Sequence, residues 1–166
     1  MQRIVVIGCG GAGKSTLSRQ IGERLNLPVL HLDAHYWQPG WIEPSRAAWT
    51  HTLASLTARD AWVMDGNYTG TLAQRLAACG SVVFLDISRW RCLWRVARRG
   101  LSYRGRSRPD LADGCPERLE WAFFRWIWQF PRQTRPRLEA VLAQAEGKRL
   151  IRLRSPREVR AFLRWL

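Results

Sequence analysis

Lysine, cysteine and long apolar runs are all scarce in this sequence of 166 residues. Only two of its 27 basic residues are lysines. The four cysteines have neither the paired short spacing of a zinc site nor the density of a disulfide framework. No uninterrupted apolar stretch reaches the roughly 18 residues that a membrane span needs. The short apolar run at 4–7 is followed by a phosphate-binding motif and not by the cleavage site of a signal peptide. We therefore expect a cytoplasmic protein.

Acidic residues are also scarce: the sequence has 13 acidic and 27 basic residues, which gives a net charge of +14. The excess is uneven along the chain. Residues 1–88 carry 7 basic and 6 acidic side chains, whereas residues 89–166 carry 20 and 7. A chain with one near-neutral and one basic half is expected to bind an anion along the basic half. The charge alone leaves nucleotide phosphates, nucleic acid and acidic lipid headgroups open.

Short apolar runs alternate with helical patterns along the whole chain. Strands are predicted at 3–8, 28–33, 61–65, 81–86 and 148–154. Helices are predicted at 14–25, 45–60, 69–78, 89–99, 116–130, 137–146 and 156–166. This alternation predicts one α/β domain over residues 1–166, with a parallel sheet between helices on both faces. The Gly- and Arg-rich segment at about 100–114 has the length of an active-site lid.

A glycine-rich segment between the first strand and the first helix, GCGGAGKS at 8–15, fits the motif G-x-x-x-x-G-K-[ST]. Its glycines let backbone N–H groups point inward around a phosphate, and the helix N-terminus adds positive potential. Lys14 is expected to span the β- and γ-phosphates, Ser15 to ligate Mg²⁺ and Thr16 to contact the α-phosphate. We therefore predict that ATP and Mg²⁺ are held by Gly8, Gly10, Gly11, Ala12, Gly13, Lys14, Ser15 and Thr16.

The rest of the sequence narrows the class of phosphate-loop protein. The guanine-specific pattern N-K-x-D is absent because neither lysine follows an asparagine, which argues against regulatory GTPases. An aspartate followed by a catalytic glutamate is also absent at the predicted strand ends, where Asp65 precedes glycine and Asp86 precedes isoleucine. These absences favour small-molecule kinases, in which an arginine-rich lid closes over the transferred phosphate.

Three aspartates are expected at the carboxyl ends of strands, where ligands bind to doubly wound sheets. Asp33 is the candidate for orienting or deprotonating an acceptor hydroxyl, with capping of the following turn as the alternative. Asp65 could hold Mg²⁺ through water or position the acceptor, because Gly66 permits close approach. For Asp86, a functional role and a structural role at the start of the next helix are equally open.

Arginines at 91, 95 and either 98 or 99 recur at helical spacing and share one face of a predicted helix. Guanidinium groups aimed at the phosphate loop would neutralise charge on the transferred phosphoryl group, while a solvated helix face is the alternative.

Aromatic residues are abundant, with ten tryptophans. Aromatic and apolar side chains cover every side of the predicted helix at residues 121–130, which predicts core packing or a partner surface. Trp37 and Trp41 follow Asp33, and packing and substrate contact are equally open there. The histidines lack metal-ligand spacing, and only His35 is expected near the acceptor pocket.

Nearly the whole chain carries a family resemblance, through residues 8–16, HLDAHYWQPGW at 31–41, WVMDGNY at 62–68, the helix at 89–99 and the segment 108–130. These motifs resemble the topology-modulation protein family, a branch of the adenylate-kinase-like phosphate-loop kinases. The resemblance implies a three-layer fold with five parallel strands and an arginine-rich lid. The functional residues that it implies are Lys14, Ser15, Thr16, Asp33, Asp65, Arg95, Arg99, Arg108 and Arg118. The AMP-side signature of true adenylate kinases is missing, which argues against AMP as the acceptor.

We therefore predict an ATP- and Mg²⁺-dependent phosphotransferase acting on a small acceptor, such as a nucleoside or nucleotide. Lys14 and the lid arginines would stabilise the transition state, and Asp33 or Asp65 would orient the acceptor. The alternative is a nucleic-acid-binding ATPase that affects DNA topology, in which residues 89–166 contact the phosphodiester backbone. The basic residues from Lys148 onward are the ones that a clamp around nucleotide phosphates does not explain. A third possibility is a lipid- or protein-binding surface on the tryptophan-rich helix. The sequence does not determine the oligomeric state.

Overall fold

Five parallel strands form the sheet in this computed structural model, which describes residues 1–102, 111–112, 114–116 and 120–166. The strands are β1 (Arg3–Gly8), β2 (Val29–His31), β3 (Trp62–Asp65), β4 (Ser81–Leu85) and β5 (Arg149–Leu153). Their order across the sheet is β2-β3-β1-β4-β5, and each neighbouring pair is parallel. The predicted α/β fold with a five-stranded parallel sheet is confirmed.

Helices connect the strands, and local signals explain several of their ends. They are α1 (Lys14–Leu25), α2 (Leu32–Tyr36), α3 (Arg46–Thr57), α4 (Leu72–Ala78), α5 (Arg89–Ser102), α6 (Trp121–Ala143) and α7 (Pro156–Trp165). The Ser45 hydroxyl accepts the N–H of Ala48 at 3.2 Å and caps α3. Pro156 occupies the first turn of α7, where its fixed φ suits a helix start. Within the described ranges, no helix is long and apolar enough to cross a lipid bilayer.

The hydrophobic core lies on both faces of the sheet. Ile4, Val5, Val6 and Ile7 of β1 are all completely buried. Successive side chains of a strand point to opposite faces, so other elements cover both faces of β1. Helix α1 packs against β1, β2 and β3, α4 packs against β1, and α7 packs against β5.

The parallel register brings the carboxyl ends of four strands together. Gly8, the last residue of β1, lies beside Leu85 of β4. Asp65 at the end of β3 lies between Val6 of β1 and His31 of β2. Ligands of doubly wound sheets bind outside this edge. The phosphate loop and the residues after β2 and β3 therefore meet at one end of the sheet.

The second strand is shorter than the sequence predicts. Residues 28–33 are expected to form one strand, but the chain turns into α2 at Leu32. Asp33 therefore lies in the first turn of a short helix and not at the end of a strand. Leu32 is completely buried, and the N–H of Trp37 donates to the carbonyl oxygen of Asp33 at 3.2 Å. Burial of Leu32 and this hydrogen bond stabilise the helical turn.

Helix α6 corrects a second prediction. The sequence predicts two helices with a break between residues 130 and 137, but one helix runs unbroken through Pro131 and Pro136. A proline inside a helix costs about 3 kcal/mol because it removes a hydrogen bond and clashes with the preceding turn. Burying one large apolar side chain contributes about 1.5–3 kcal/mol. The side chains that α6 buries are Ile127, Phe130, Leu138 and Leu142. Their packing outweighs the two prolines.

The predicted lid is only partly described. Helix α5 continues to Ser102, so the segment predicted as lid begins with helix. Arg108 lies in 103–110 and Arg118 lies in 117–119, and both ranges are outside the described residues. The expectation that these two arginines contact phosphate therefore stays a prediction.

Candidate active site

The phosphate-binding motif forms a curled loop between β1 and α1. Gly8, Gly11 and Gly13 have φ angles of +150°, +76° and +101°, in the region that favours glycine. The Nζ atom of Lys14 donates to the carbonyl oxygens of Gly8 at 3.0 Å and Cys9 at 3.1 Å. The lysine thus bridges the start of the loop and the start of the helix.

Helices α5 and α6 pack directly against this loop. A Cβ atom at Gly11 would lie 2.4 Å from the carbonyl oxygen of Cys92 in α5. A Cβ atom at Gly10 would lie 2.5 Å from Cζ of Phe123 in α6, with the ring of Trp126 3.2 Å away. The glycines are therefore needed for helix packing as well as for the curl of the loop.

Two of the four arginines in the predicted row face the loop. Nη1 of Arg95 donates to the carbonyl oxygen of Ala12 at 2.9 Å, and Arg95 and Arg99 both line the cleft beside it. Arg91 and Arg98 are exposed. The structure thus separates the row into two arginines at the site and two on the solvated side of α5.

The segment after β3 is bonded to the phosphate loop. The N–H of Gly8 donates to Oδ1 of Asn67 at 3.0 Å. The fully buried Arg75 donates through Nη1 to the carbonyl oxygen of Gly66 at 2.8 Å. Its Nη2 donates to the carbonyl oxygens of Asn67 and, at 3.2 Å, Tyr68. Burial lowers the pKa of Arg75 to about 10, so its guanidinium is charged near neutral pH.

Asp65 is held by a histidine on the neighbouring strand. The carboxylate is 4% exposed, and its Oδ1 and Oδ2 lie 3.1 and 3.0 Å from Nδ1 of His31. The sequence singles out only His35 as lying near the acceptor pocket, whereas the histidine that contacts a predicted site carboxylate is His31. His35 is exposed and does not line the cleft, because the chain turns into α2 directly after His31.

Asp33 lines the cleft from the other side, although it belongs to α2. The hydroxyl of Tyr68 donates to Oδ1 of Asp33 at 2.7 Å. Burial raises the pKa of Tyr68, and the nearby Asp33 carboxylate raises it further. The tyrosine hydroxyl therefore stays protonated and fixes one carboxylate oxygen of Asp33.

A turn rich in aromatic residues closes this side of the cleft. Trp37 and Trp41 lie edge to face, with ring centroids 5.3 Å apart, and both line the cleft. Trp41 has a φ of +66°, and its Nε1 donates to the carbonyl oxygen of Pro116 at 3.1 Å. The N–H of Gly40 donates to the carbonyl oxygen of Gly114 at 3.0 Å. The turn after α2 is therefore tied to the far end of the predicted lid.

The cleft between these groups has a volume of about 1180 Å³. The predicted site residues that line it are Gly10, Gly11, Ala12, Gly13, Lys14, Ser15, Thr16, Asp33, Asp65, Arg95 and Arg99. Gly8 lies behind the wall, where a Cβ atom would meet the carbonyl oxygen of Leu85 at 2.6 Å. The structure thus brings the predicted phosphate-binding and acceptor residues to one cavity.

Asp86 does not belong to this site. Its Oδ2 lies 3.0 Å from Nη2 of Arg135 and 3.8 Å from Nη1 of Arg152. Nη2 of Arg152 also donates to Oε1 of Glu139 at 2.8 Å. Of the two roles that the sequence left open for Asp86, the structure supports the structural one. Asp86 belongs to an ion-pair network that joins the end of β4 to β5 and α6.

Several residues at the site escaped the sequence analysis. Phe123 and Trp126 were treated as core aromatics of a helix, and nothing in the sequence placed them on the phosphate loop. Arg75 did carry a signal, because it lies between Leu72 and Leu76 on the apolar face of α4. Asn67 directly follows Asp65-Gly66, so its position in the sequence could have identified it as a candidate site residue.

ATP with Mg²⁺ fits the donor set of this cleft. The loop offers left-handed glycines, a lysine and the helix N-terminus beside the hydroxyl of Ser15. Among the residues that the structure describes, no group of three or more His, Cys, Asp or Glu side chains could hold a metal alone. Mg²⁺ in phosphoryl-transfer sites takes few protein ligands, because phosphate oxygens and water supply the rest.

Comparison with known proteins supports the fold. No model of a known protein family and no curated protein matches the chain. The structure of shikimate kinase from Acinetobacter baumannii in complex with shikimate matches with a TM-score of 0.66 at 20% identity, over 99% of this chain and 90% of that chain. The chain has the fold of these phosphate-loop kinases.

Two further structures agree. A gluconokinase from Sinorhizobium meliloti 1021 matches with a TM-score of 0.54 at 18% identity, over 99% of this chain and 92% of that one. Shikimate kinase from Aquifex aeolicus vf5 matches with a TM-score of 0.55 at 19% identity, over 98% of this chain and 94% of that one. These kinases give no support to the nucleic-acid alternative, and the topology-modulation resemblance stays a prediction.

Proposed function

We propose that this protein is an ATP- and Mg²⁺-dependent phosphotransferase that phosphorylates a hydroxyl group of a small acceptor in the cytoplasm. One observation carries the proposal. The phosphate loop with Lys14 and Arg95 and the carboxylate of Asp33 line the same cleft of about 1180 Å³. A phosphate donor and an acceptor bound there would be next to each other, which is the main requirement for phosphoryl transfer.

The phosphate half of the cleft is built from the loop and two helices. Lys14 and Arg95 are already held at the loop by its own carbonyl oxygens, so their charges are close to bound phosphates. Positive groups fixed at this place stabilise charge that develops on the transferred phosphoryl group. Ser15 would supply a hydroxyl oxygen to Mg²⁺, and Asp65 would bind it through water. The ion would neutralise charge on the nucleotide phosphates.

Asp33 would serve the acceptor half as the proton acceptor. The acceptor hydroxyl oxygen forms a bond to the γ-phosphorus while the bond from the γ-phosphorus to the β–γ bridging oxygen breaks. The hydroxyl proton moves to Asp33, and the products are ADP and the phosphorylated acceptor. The hydrogen bond from Tyr68 to Oδ1 fixes the orientation of the Asp33 carboxylate at the cleft.

The similar structures support a hydroxyl acceptor. Shikimate and gluconate, which appear in the names of the matched proteins, are both polyhydroxy acids. We extend only the reaction class to this chain, because the identities are 20% or less. We also propose membership of the topology-modulation family on the motifs at 31–41 and 62–68.

The alternative, a nucleic-acid-binding ATPase, depends on the basic C-terminal region. Lys148 is engaged structurally, since it donates to the carbonyl oxygen of Cys79 at 2.8 Å, and the guanidinium of Arg149 lies 4.4 Å from the ring centroid of Trp165. A groove of about 500 Å³ beside the main cleft is lined by further basic residues. Its basic lining residues are Arg24, Arg157, Arg160 and Arg164. This groove is a candidate place for a phosphodiester backbone.

The decisive experiment is a screen for ADP release. Purified protein with ATP and Mg²⁺ is offered nucleosides, nucleotides, polyols, hydroxy acids and duplex DNA. We expect one class of hydroxyl acceptor to raise ADP release, with the phosphorylated product seen by mass spectrometry. The variant Lys14→Ala should lose this turnover, and Arg91→Ala, which removes an exposed charge of α5, should keep it.

Two results would contradict the proposal. Full turnover by Lys14→Ala would contradict the mechanism, in which Lys14 stabilises the transition state. ADP release that is stimulated by DNA and by no small acceptor would favour the nucleic-acid-binding ATPase. In that case, the affinity of the protein for DNA should fall roughly 10³-fold or more between 50 and 200 mM salt.

A further inference from the structure

Among the residues that the structure describes, Arg75 is a charged residue that is completely buried. It lies in α4 on the apolar face formed by Leu72 and Leu76, and its side chain does not reach the cleft. A guanidinium removed from water is unfavourable unless hydrogen bonds compensate it. The bonds of Arg75 all go to one short segment, the three residues that follow β3.

That segment has an unfavourable backbone. Gly66 has a φ of +134° and Tyr68 a φ of +30°. A left-handed conformation is uncommon for a tyrosine and needs support from the surrounding structure. Arg75 supplies it by donating to the carbonyl oxygens of three successive residues, Gly66, Asn67 and Tyr68. The guanidinium therefore acts as a fixed template for the turn.

The turn connects the two halves of the candidate active site. Oδ1 of Asn67 accepts the N–H of Gly8 at 3.0 Å, at the start of the phosphate loop. The hydroxyl of Tyr68 donates to Asp33 at 2.7 Å, at the acceptor side. One turn is therefore hydrogen-bonded to both the phosphate loop and the acceptor carboxylate, and Arg75 is hydrogen-bonded to that turn.

We propose that Arg75 is a positioning residue, which sets the placement of Asp33 relative to the phosphate loop through Asn67 and Tyr68. The inference rests on the proposed phosphotransferase function. It predicts an effect on the chemical step and little effect on the binding of either substrate alone. A misplacement of about 1 Å in a reacting pair can cost about 10²-fold in rate.

The test compares Arg75→Met, Arg75→Lys and Asn67→Ala with Arg46→Met, which changes an exposed arginine at the start of α3. We expect Arg75→Met to lower kcat about 10²-fold with KM for ATP changed less than threefold. Arg75→Lys should recover part of the loss. Asn67→Ala should lower kcat in the same direction, and the double variant with Arg75→Met should lose no more than Arg75→Met alone, because both act through one turn.

Amide hydrogen exchange provides a readout that does not depend on turnover. In Arg75→Met, the amide of Gly8 should exchange faster, because its bond to Asn67 is lost, while amides of β4 keep their protection. A folded Arg75→Met with unchanged kcat or with unchanged exchange at Gly8 would overturn the proposal. If Arg75→Met does not fold, Asn67→Ala decides, and unchanged kcat in that variant would overturn it. If wild-type protein phosphorylates no acceptor, the proposed function fails, and the exchange result alone decides whether Arg75 positions the turn.

Discussion

Nη1 of Arg95 lies 2.9 Å from the carbonyl oxygen of Ala12, so a helix more than eighty residues along the chain contacts the phosphate loop directly. The arginine is partly buried, and it lines the cleft together with Arg99. A cation fixed at this position is close to bound phosphate without needing to be reorganised during the reaction.

Replacing Arg95 should therefore affect turnover strongly. We expect Arg95→Ala to lower kcat by about 10²-fold or more, in the range seen when one fixed transition-state donor is removed. Arg98→Ala is the matched control, because Arg98 is exposed on the same helix with its guanidinium 5.4 Å from the ring centroid of Trp94. Steady-state kinetics with the acceptor found in the screen check this prediction. Equal losses in the two variants would contradict it.

Gly11 should tolerate no side chain. In Gly11→Ala, the new Cβ would lie 2.4 Å from the carbonyl oxygen of Cys92, at a φ of +76°. We expect the free energy of unfolding to fall by about 1–3 kcal/mol, because a rigid backbone atom must move. Urea unfolding measures this loss, and calorimetry should show weaker ATP binding. Gly70→Ala is the control, since a Cβ atom there meets nothing within 4 Å, and its stability should change little.

Acid should remove the stabilising contribution of Glu158. The N–H of Arg154 and the hydroxyl of Ser155 donate to its carboxylate and lower the pKa of Glu158 below its usual 4.5. A depressed pKa in the folded state means that the contribution is present above about pH 4.5 and is lost as pH falls through the folded value. Glu158→Gln should therefore be less stable than wild type at pH 7, and the difference should shrink by pH 3. Urea midpoints at the two pH values test this, and a difference that grows in acid would contradict it.

The thiols should be unreactive in the folded protein. All four cysteines are buried, and burial shields their thiols from the reagent. The hydrogen bond between Cys9 and Cys92 raises the pKa of Cys9 and lowers the pKa of Cys92, so the prediction rests on burial. We expect Ellman's reagent to modify none of them rapidly under native conditions and all of them in guanidinium chloride. Saturating ATP and Mg²⁺ should slow the native reaction further, since ligand binding opposes opening of the loop. Rapid modification of Cys9 in the native protein would contradict the observed packing.

Local sequence patterns predicted much of the fold. The bounds of β1 and α1 were predicted at 3–8 and 14–25, because an apolar run, a glycine-rich loop and helical spacing are all local signals. The Ser45 cap and the start of α7 at Pro156 are equally local. The motif G-x-x-x-x-G-K-S likewise identified most residues that line the phosphate half of the cleft.

Long-range packing decided the points at which the predictions were wrong. Burial of Leu32 ends β2 early and moves Asp33 into a helix. Burial along α6 overrides Pro131 and Pro136. Asp86, like Asp65, is an aspartate that ends an apolar run in the sequence. The tertiary structure pairs Asp86 with Arg135 and does not include it among the residues that line the cleft.

The sequence by itself thus determined the alternation of strands and helices, the parallel sheet that this alternation implies, and the phosphate loop, because spacing and turn residues encode the elements locally. The tertiary structure alone decided which side chains share the cleft. Of the arginines at 91, 95, 98 and 99, it placed Arg95 and Arg99 in the cleft. It also paired Asp65 with His31 and placed the Arg75 guanidinium against the turn whose Asn67 accepts the N–H of Gly8. Those contacts join residues far apart in the chain, and their energies depend on burial and distance, which a sequence does not state.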